Sequence, residues 1–175
     1  MIKIILLFGV IIGCAYLGKL FSKSGEIRVL VLNDFLHDLC LFKNLVMLER
    51  RDVISALKKM GNQNGCFFCD LYIDIIKKIE KAPNIDITAC WHQISADSKN
   101  ENGREYLKEK DHDKINDFGG ILTSFRHAVS ADVIDRHIGD LSDYIDMQQK
   151  EQTKKTKIYN KLGLIIGLFL GIILI

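Results

Sequence analysis

Proline is nearly missing from this sequence: Pro83 is the only one in 175 residues. So few rigid turns leave long stretches free to be helical and argue against a turn-rich β fold. Excess charge of one sign is missing too. The 24 Lys and Arg residues against 22 Asp and Glu leave a net charge of +2, so no bulk field draws nucleic acid and none is expected as a partner. No phosphate-binding P-loop, G-x-S-x-G elbow, H-E-x-x-H helix or dinucleotide fingerprint occurs. Neither catalysis nor a cofactor is indicated. The five cysteines, Cys14, Cys40, Cys66, Cys69 and Cys90, are odd in number and irregularly spaced. They do not read as a disulfide framework, and a reducing compartment is the simpler setting.

What is present is segregated: apolar residues gather at the two ends. Residues 4–20 are nearly continuous apolar sequence, broken only by Lys19. As a helix this stretch would run ~25 Å, a little short of a ~30 Å hydrocarbon core, with Lys19 reaching the interface. A cleaved signal peptide fits less well, because Lys3 and the α-amino group alone make the basic flank and no clean cleavage site follows. Ile11-Ile12-Gly13-Cys14 also fits a lipobox, which would make the chain an exported lipoprotein acylated at Cys14. The apolar run continues past Cys14 through Phe21, however, where a lipoprotein has a polar tether, so the anchor is preferred. At the other end, residues 162–175 (LGLIIGLFLGIILI) carry no polar side chain. Counting back to Ile158 gives ~27 Å of helix.

The flanking charges give these ends a direction. Lys19, Lys23 and Arg28 follow the first segment; Lys150, Lys154, Lys155, Lys157 and Lys161 precede the second. Both biases put the middle of the chain in the cytoplasm and both termini outside. The expected organisation is an N-terminal membrane anchor over 1–22, a cytoplasmic helical domain over 25–157 and a C-terminal membrane helix over 158–175, with membrane lipid as one partner. Gly9 and Gly13, and Gly163, Gly167 and Gly171, recur four apart and line one helix face, where backbones can approach closely. Each segment is thereby suited to pack against the other, against another protein or against a second copy of the chain.

The middle reads as an all-α bundle of about six helices. Leu32, Leu36, Leu39, Leu45 and Leu48 recur at helical spacing between 26 and 51. Asp52 caps a short helix ended by Gly61, and Phe67 opens an amphipathic one broken at Pro83 and Asn84. Asp86 caps the next. A helix over 104–118 is expected to stop at Gly119-Gly120, and a last one to start near Ser130. Ile134, Ile138, Leu141 and Ile145 make the seam of that last helix, which has no breaker except Gly139 before the tail.

Two constellations bear on chemistry. Cys66-x-x-Cys69 with Cys90 and His92 supplies the residue types of a tetrahedral zinc site or a redox pair. The C-x-H half is no standard knuckle, Phe67 and Phe68 suit a core, and no βαβ pattern supports a thioredoxin-like reading. Metal binding is therefore the weaker alternative. His112, His127 and His137 share no face and read as solvated helix positions.

The whole chain resembles stage III sporulation protein AB of endospore-forming bacteria. The resemblance rests on the basic run into Lys161-Leu162-Gly163 with its glycine-spaced tail, and on Phe118-Gly119-Gly120-Ile121-Leu122. The latter looks like the family's F-G-x-x-L-G turn, with Thr123 in place of the second glycine and Arg126 where an acidic residue is expected. The family's Tyr-Gly…Thr-Pro-Leu turn is absent; Leu48-Glu49-Arg50-Arg51-Asp52-Val53 occupies that region. The resemblance implies a platform subunit of an apparatus in the mother-cell membrane, with a six-helix domain similar to cytoplasmic domains of type II secretion and type IV pilus platform proteins. It also implies the apparatus ATPase and other membrane subunits as neighbours.

Overall fold

The computed structural model describes residues 2–82, 85–125 and 131–174, and within the terminal helices leaves aside the side chains of 2–12, 14–22 and most of 163–174. Among the described residues there are six α-helices and no strand: α1 (Ile2–Lys43), α2 (Val53–Gly61), α3 (Cys69–Lys81), α4 (Ile87–Asp97), α5 (Glu109–Phe125) and α6 (Ala131–Leu174). The all-α expectation and its helix count agree with this. The chain divides into two compact units, Met1–Val29 with Asp146–Ile175, and Leu30–Ile145. No helix among the described residues is long and apolar enough to cross a membrane. The stretches 4–20 and 162–174 have helical backbone within α1 and α6, but most of their side chains lie outside the described residues.

Local chemistry sets the helix ends. The Asp52 carboxylate accepts the Ser55 N–H at the start of α2, and Asp86 accepts the Thr88 and Ala89 N–H groups at the start of α4. Each satisfies donors that a helix N-terminus leaves open. α1 passes into a π-turn over Asn44–Leu48, closed by Glu49 N–H on the Asn44 carbonyl at 3.1 Å. The wider turn rotates the face of the helix. Leu45 is fully buried while Leu48 is 78% exposed, so the leucine stripe loses its last member to solvent. Arg50 then takes a left-handed φ of 52° to reverse the chain.

The core of the Leu30–Ile145 unit is aromatic. Phe118 of α5 meets Phe35 and Phe42 of α1 and Trp91 of α4 edge-on, with centroids 5.9, 5.2 and 5.2 Å apart. Phe35 also meets Phe68, and Tyr72 of α3 stacks on Trp91. This geometry corrects the reading of Gly119-Gly120 as a helix stop, because α5 runs through both to Phe125. Gly119 instead makes room for Trp91: a Cβ there would lie 2.9 Å from the Trp91 Cδ1. The same close approach brings the Thr88 hydroxyl within reach of the Gly119 carbonyl at 3.1 Å and of the Thr123 hydroxyl at 2.6 Å. Thr123 thus makes a paired contact between α4 and α5. On α6, Ile134, Leu141 and Ile145 are buried as the seam requires, and Ile138 is half-buried.

In the other unit, the Arg28 guanidinium donates to Gln148 Oε1 at 2.8 Å. The Gln152 carboxamide lies over Gly25 so closely that a Cβ would overlap it. These contacts tie α1 to α6 beside the terminal apolar stretches.

Candidate functional site

Two of the charged groups that the Leu30–Ile145 unit buries, Asp38 and Arg104, meet the loop between α2 and α3. Arg104 enters from one side, on a single 3₁₀ turn over Arg104–Tyr106. Its side chain is 2% exposed. Nε donates to the Ser98 carbonyl at 2.9 Å and Nη1 to the Phe67 carbonyl at 2.8 Å. The fork closes on both Asp70 oxygens at 2.8 and 2.6 Å, and the guanidinium lies 5.8 Å from the Phe68 ring centroid. Burial alone would raise the Asp70 pKa, but the hydrogen bonds and charge of Arg104 outweigh it and hold the carboxyl below its ordinary range.

From the other side α1 supplies two carboxylates one turn apart. Asp34 accepts the Phe67 N–H at 2.9 Å. Asp38 is buried; its Oδ2 accepts the Tyr72 hydroxyl at 2.8 Å, and its Oδ1 lies 3.5 Å from Gln63 Nε2. Burial pushes the Asp38 carboxyl up to about 7 against the Tyr72 hydrogen bond, with Asp34 adding to the rise and His37 opposing it. Between these walls Cys66 and Cys69 are joined as a disulfide, with Cα atoms 5.6 Å apart. The sequence offers this C-x-x-C only as the weaker alternative, a metal site or redox pair. Cys40 and Cys90 are free thiols, and Cys14 lies outside the residues whose side chains are described.

Other sequence candidates lie elsewhere. Cys90 is buried on α4, where loss of solvation raises its pKa, whereas His92 is exposed two residues on. The pair does not share a face. Asp34, Asp38 and Cys66 bring one donor atom each within 4.8 Å of one another. That set does not suit a cation: the Cys66 sulfur is bonded to Cys69, and Asp38 already binds the Tyr72 hydroxyl. Clefts of about 330 Å³ beside Asp74, Lys78 and Glu101, and of about 290 Å³ beside Val46, Arg51 and Ile79, contain none of Cys66, Cys69, Cys90 or His92.

His112 is buried, not solvated, and burial lowers its pKa, with Lys99 lowering it further. Its neighbour Asp111 is fully buried, accepting the Lys108 N–H at 2.7 Å and the Tyr144 hydroxyl of α6 at 2.8 Å. His137 is half-buried, and His127 lies outside the described residues. Gly13 is exposed with open space around it; Gly9, Gly163, Gly167 and Gly171 lie outside the residues whose side chains are described. Sequence reasoning missed Arg104 and Asp38. Their only signal was a charge at an otherwise apolar helical position or beside a turn, which solvated charges share.

The family model for stage III sporulation protein AB matches residues 3–175. No curated protein and no solved structure matches the chain.

Proposed function

The chain belongs to the stage III sporulation protein AB family, and on that premise we propose that it is a non-enzymatic platform or adaptor subunit of the stage III sporulation apparatus, held in the mother-cell membrane at both ends. The observation that carries this reading is the extent of the family match, 3–175, which takes in both apolar ends together with the helical middle. Supporting it, 4–20 and 158–175 are of near-spanning length, and their basic flanks favour a cytoplasmic middle. Gly9 and Gly13 on one segment, and Gly163, Gly167 and Gly171 on the other, suit them to close helix packing with each other or with further membrane subunits. The helical domain then works as a docking body whose neighbour in the cytoplasm is the apparatus ATPase.

The test is co-purification. The full-length chain, tagged and extracted from membranes of sporulating cells after mild cross-linking, is expected to retain the apparatus ATPase together with other membrane subunits. Recovery of the chain in complexes that contain the membrane subunits but never the ATPase would remove the adaptor role.

A further inference from the structure

We propose that Cys66 and Cys69 are a reversible dithiol–disulfide pair whose proton is given and taken by Asp38, making the α2–α3 loop a site for exchange with a dithiol reductant. Both cysteines are half-buried, Cys66 three residues before α3 and Cys69 as its first residue. Cys66 Sγ lies 4.0 Å from Asp38 Oδ2. Cys69 Sγ lies 3.3 Å from each of the Met60 and Gln63 carbonyl oxygens. Those carbonyls are acceptors for an S–H, which a disulfide sulfur does not offer, so the surroundings also suit the reduced form. A pair that is only structural needs neither acceptors for its thiol nor a buried carboxyl beside it.

The chemistry balances as follows. A thiolate of the external dithiol attacks Cys69 Sγ and forms a mixed disulfide. The Cys66–Cys69 bond breaks, its electron pair leaves on the Cys66 sulfur, and that sulfur takes the proton of the Asp38 carboxyl. The second thiol of the reductant loses its proton to water and attacks its own mixed-disulfide sulfur. It departs as a cyclic disulfide, releasing Cys69, which takes a proton from water. Two electrons and two protons enter the chain, and Asp38 is reprotonated from solvent. In the reverse direction the Asp38 carboxylate removes the Cys66 proton. The groups facing Asp38 are Asp34 and His37 on α1, Gln63 and Cys66 in the loop, and Tyr72 on α3. The Asp38 carboxyl titrates at about 7, so donor and acceptor forms coexist near neutrality.

The experiment follows reduction of the full-length chain in detergent by dithiothreitol, with free thiols trapped by alkylation and assigned to Cys66 and Cys69 by peptide mass. Rates are expressed per dithiothreitol thiolate, so that the reagent's own titration drops out. The pair is expected to open and re-form while the helical circular dichroism stays constant. The normalised rate is expected to fall about tenfold between acidic and alkaline buffer as Asp38 loses its proton, whereas Asp38→Asn gives a slow, flat profile. The wild-type profile decides the matter even if the variant fails to fold. A pair that opens only when the helical signal is lost overturns the proposal, and so does a wild-type rate that does not change with pH or a folded Asp38→Asn variant that keeps the wild-type profile.

Discussion

Arg104→Ala is expected to lower the stability of the helical domain by about 3 kcal/mol. The guanidinium is buried and holds four partners at once: the Ser98 and Phe67 carbonyls and both Asp70 oxygens. Its removal leaves two carbonyls without donors and Asp70 without its counter-charge, and opens a void beside Phe68. Asp70 is 33% exposed and can recover some hydration, which keeps the loss at the lower end for a broken pair. Arg104→Lys is expected to rescue little, because one ammonium cannot form the planar fork and reach the carbonyls together. Asp70→Asn is expected to cost about 2 kcal/mol, because the buried guanidinium loses its counter-charge but keeps its two carbonyl partners. Urea unfolding of the full-length chain in detergent, followed by circular dichroism, checks the order Arg104→Ala, Arg104→Lys, Asp70→Asn.

Gly119 and Gly120 are adjacent in α5, yet alanine is expected to act on them with opposite sign. At Gly120 nothing lies within 4 Å of a Cβ and the position is exposed, so Gly120→Ala gains about 1 kcal/mol from helix propensity alone. At Gly119 the Cβ would press on Trp91 Cδ1, Cβ and Cγ at 2.9 to 3.1 Å. Trp91 has nowhere to go. It is fully buried, donates from Nε1 to the Ile115 carbonyl at 3.1 Å, and is held edge-on by Phe118. Overpacking of this kind costs about 1–3 kcal/mol, which cancels or exceeds the propensity gain, and Gly119→Leu is expected to cost more still. A thermal melt of each variant reads the contrast. If both alanines raise the midpoint equally, the two positions are ordinary helix glycines and the packing role assigned to Gly119 is wrong.

Elements with local signals were legible in the sequence. Asp52 and Asp86 each stand before an apolar run, and each caps as that position requires. The Ile134, Leu141 and Ile145 seam survives because α6 is long and regular. Two departures have physical causes that no window of sequence contains. Leu48 faces solvent because the π-turn advances the face by one residue, and the turn carries no residue signature of its own. Gly119 looked like a helix stop because glycine often is one, but the close contact that explains it comes from Trp91, far away in sequence. The candidate site was half visible: the C-x-x-C spacing placed Cys66 and Cys69. The carboxyl beside them, Asp38, comes from α1, and only the fold brings it to them. Nothing in the sequence marks Asp38, Arg104 or Asp111 as buried, because charged residues usually are solvated, yet each is buried with partners.

In the proposed arrangement both ends enter the membrane and the helical domain faces the cytoplasm. Protease added to intact protoplasts, followed by detection of the domain, tests this most directly. The full-length chain is expected to stay in the carbonate-washed membrane pellet, its domain to survive in intact protoplasts and to be cut only after lysis. Digestion of the domain in intact protoplasts would contradict the account and place it outside, as acylation at Cys14 requires.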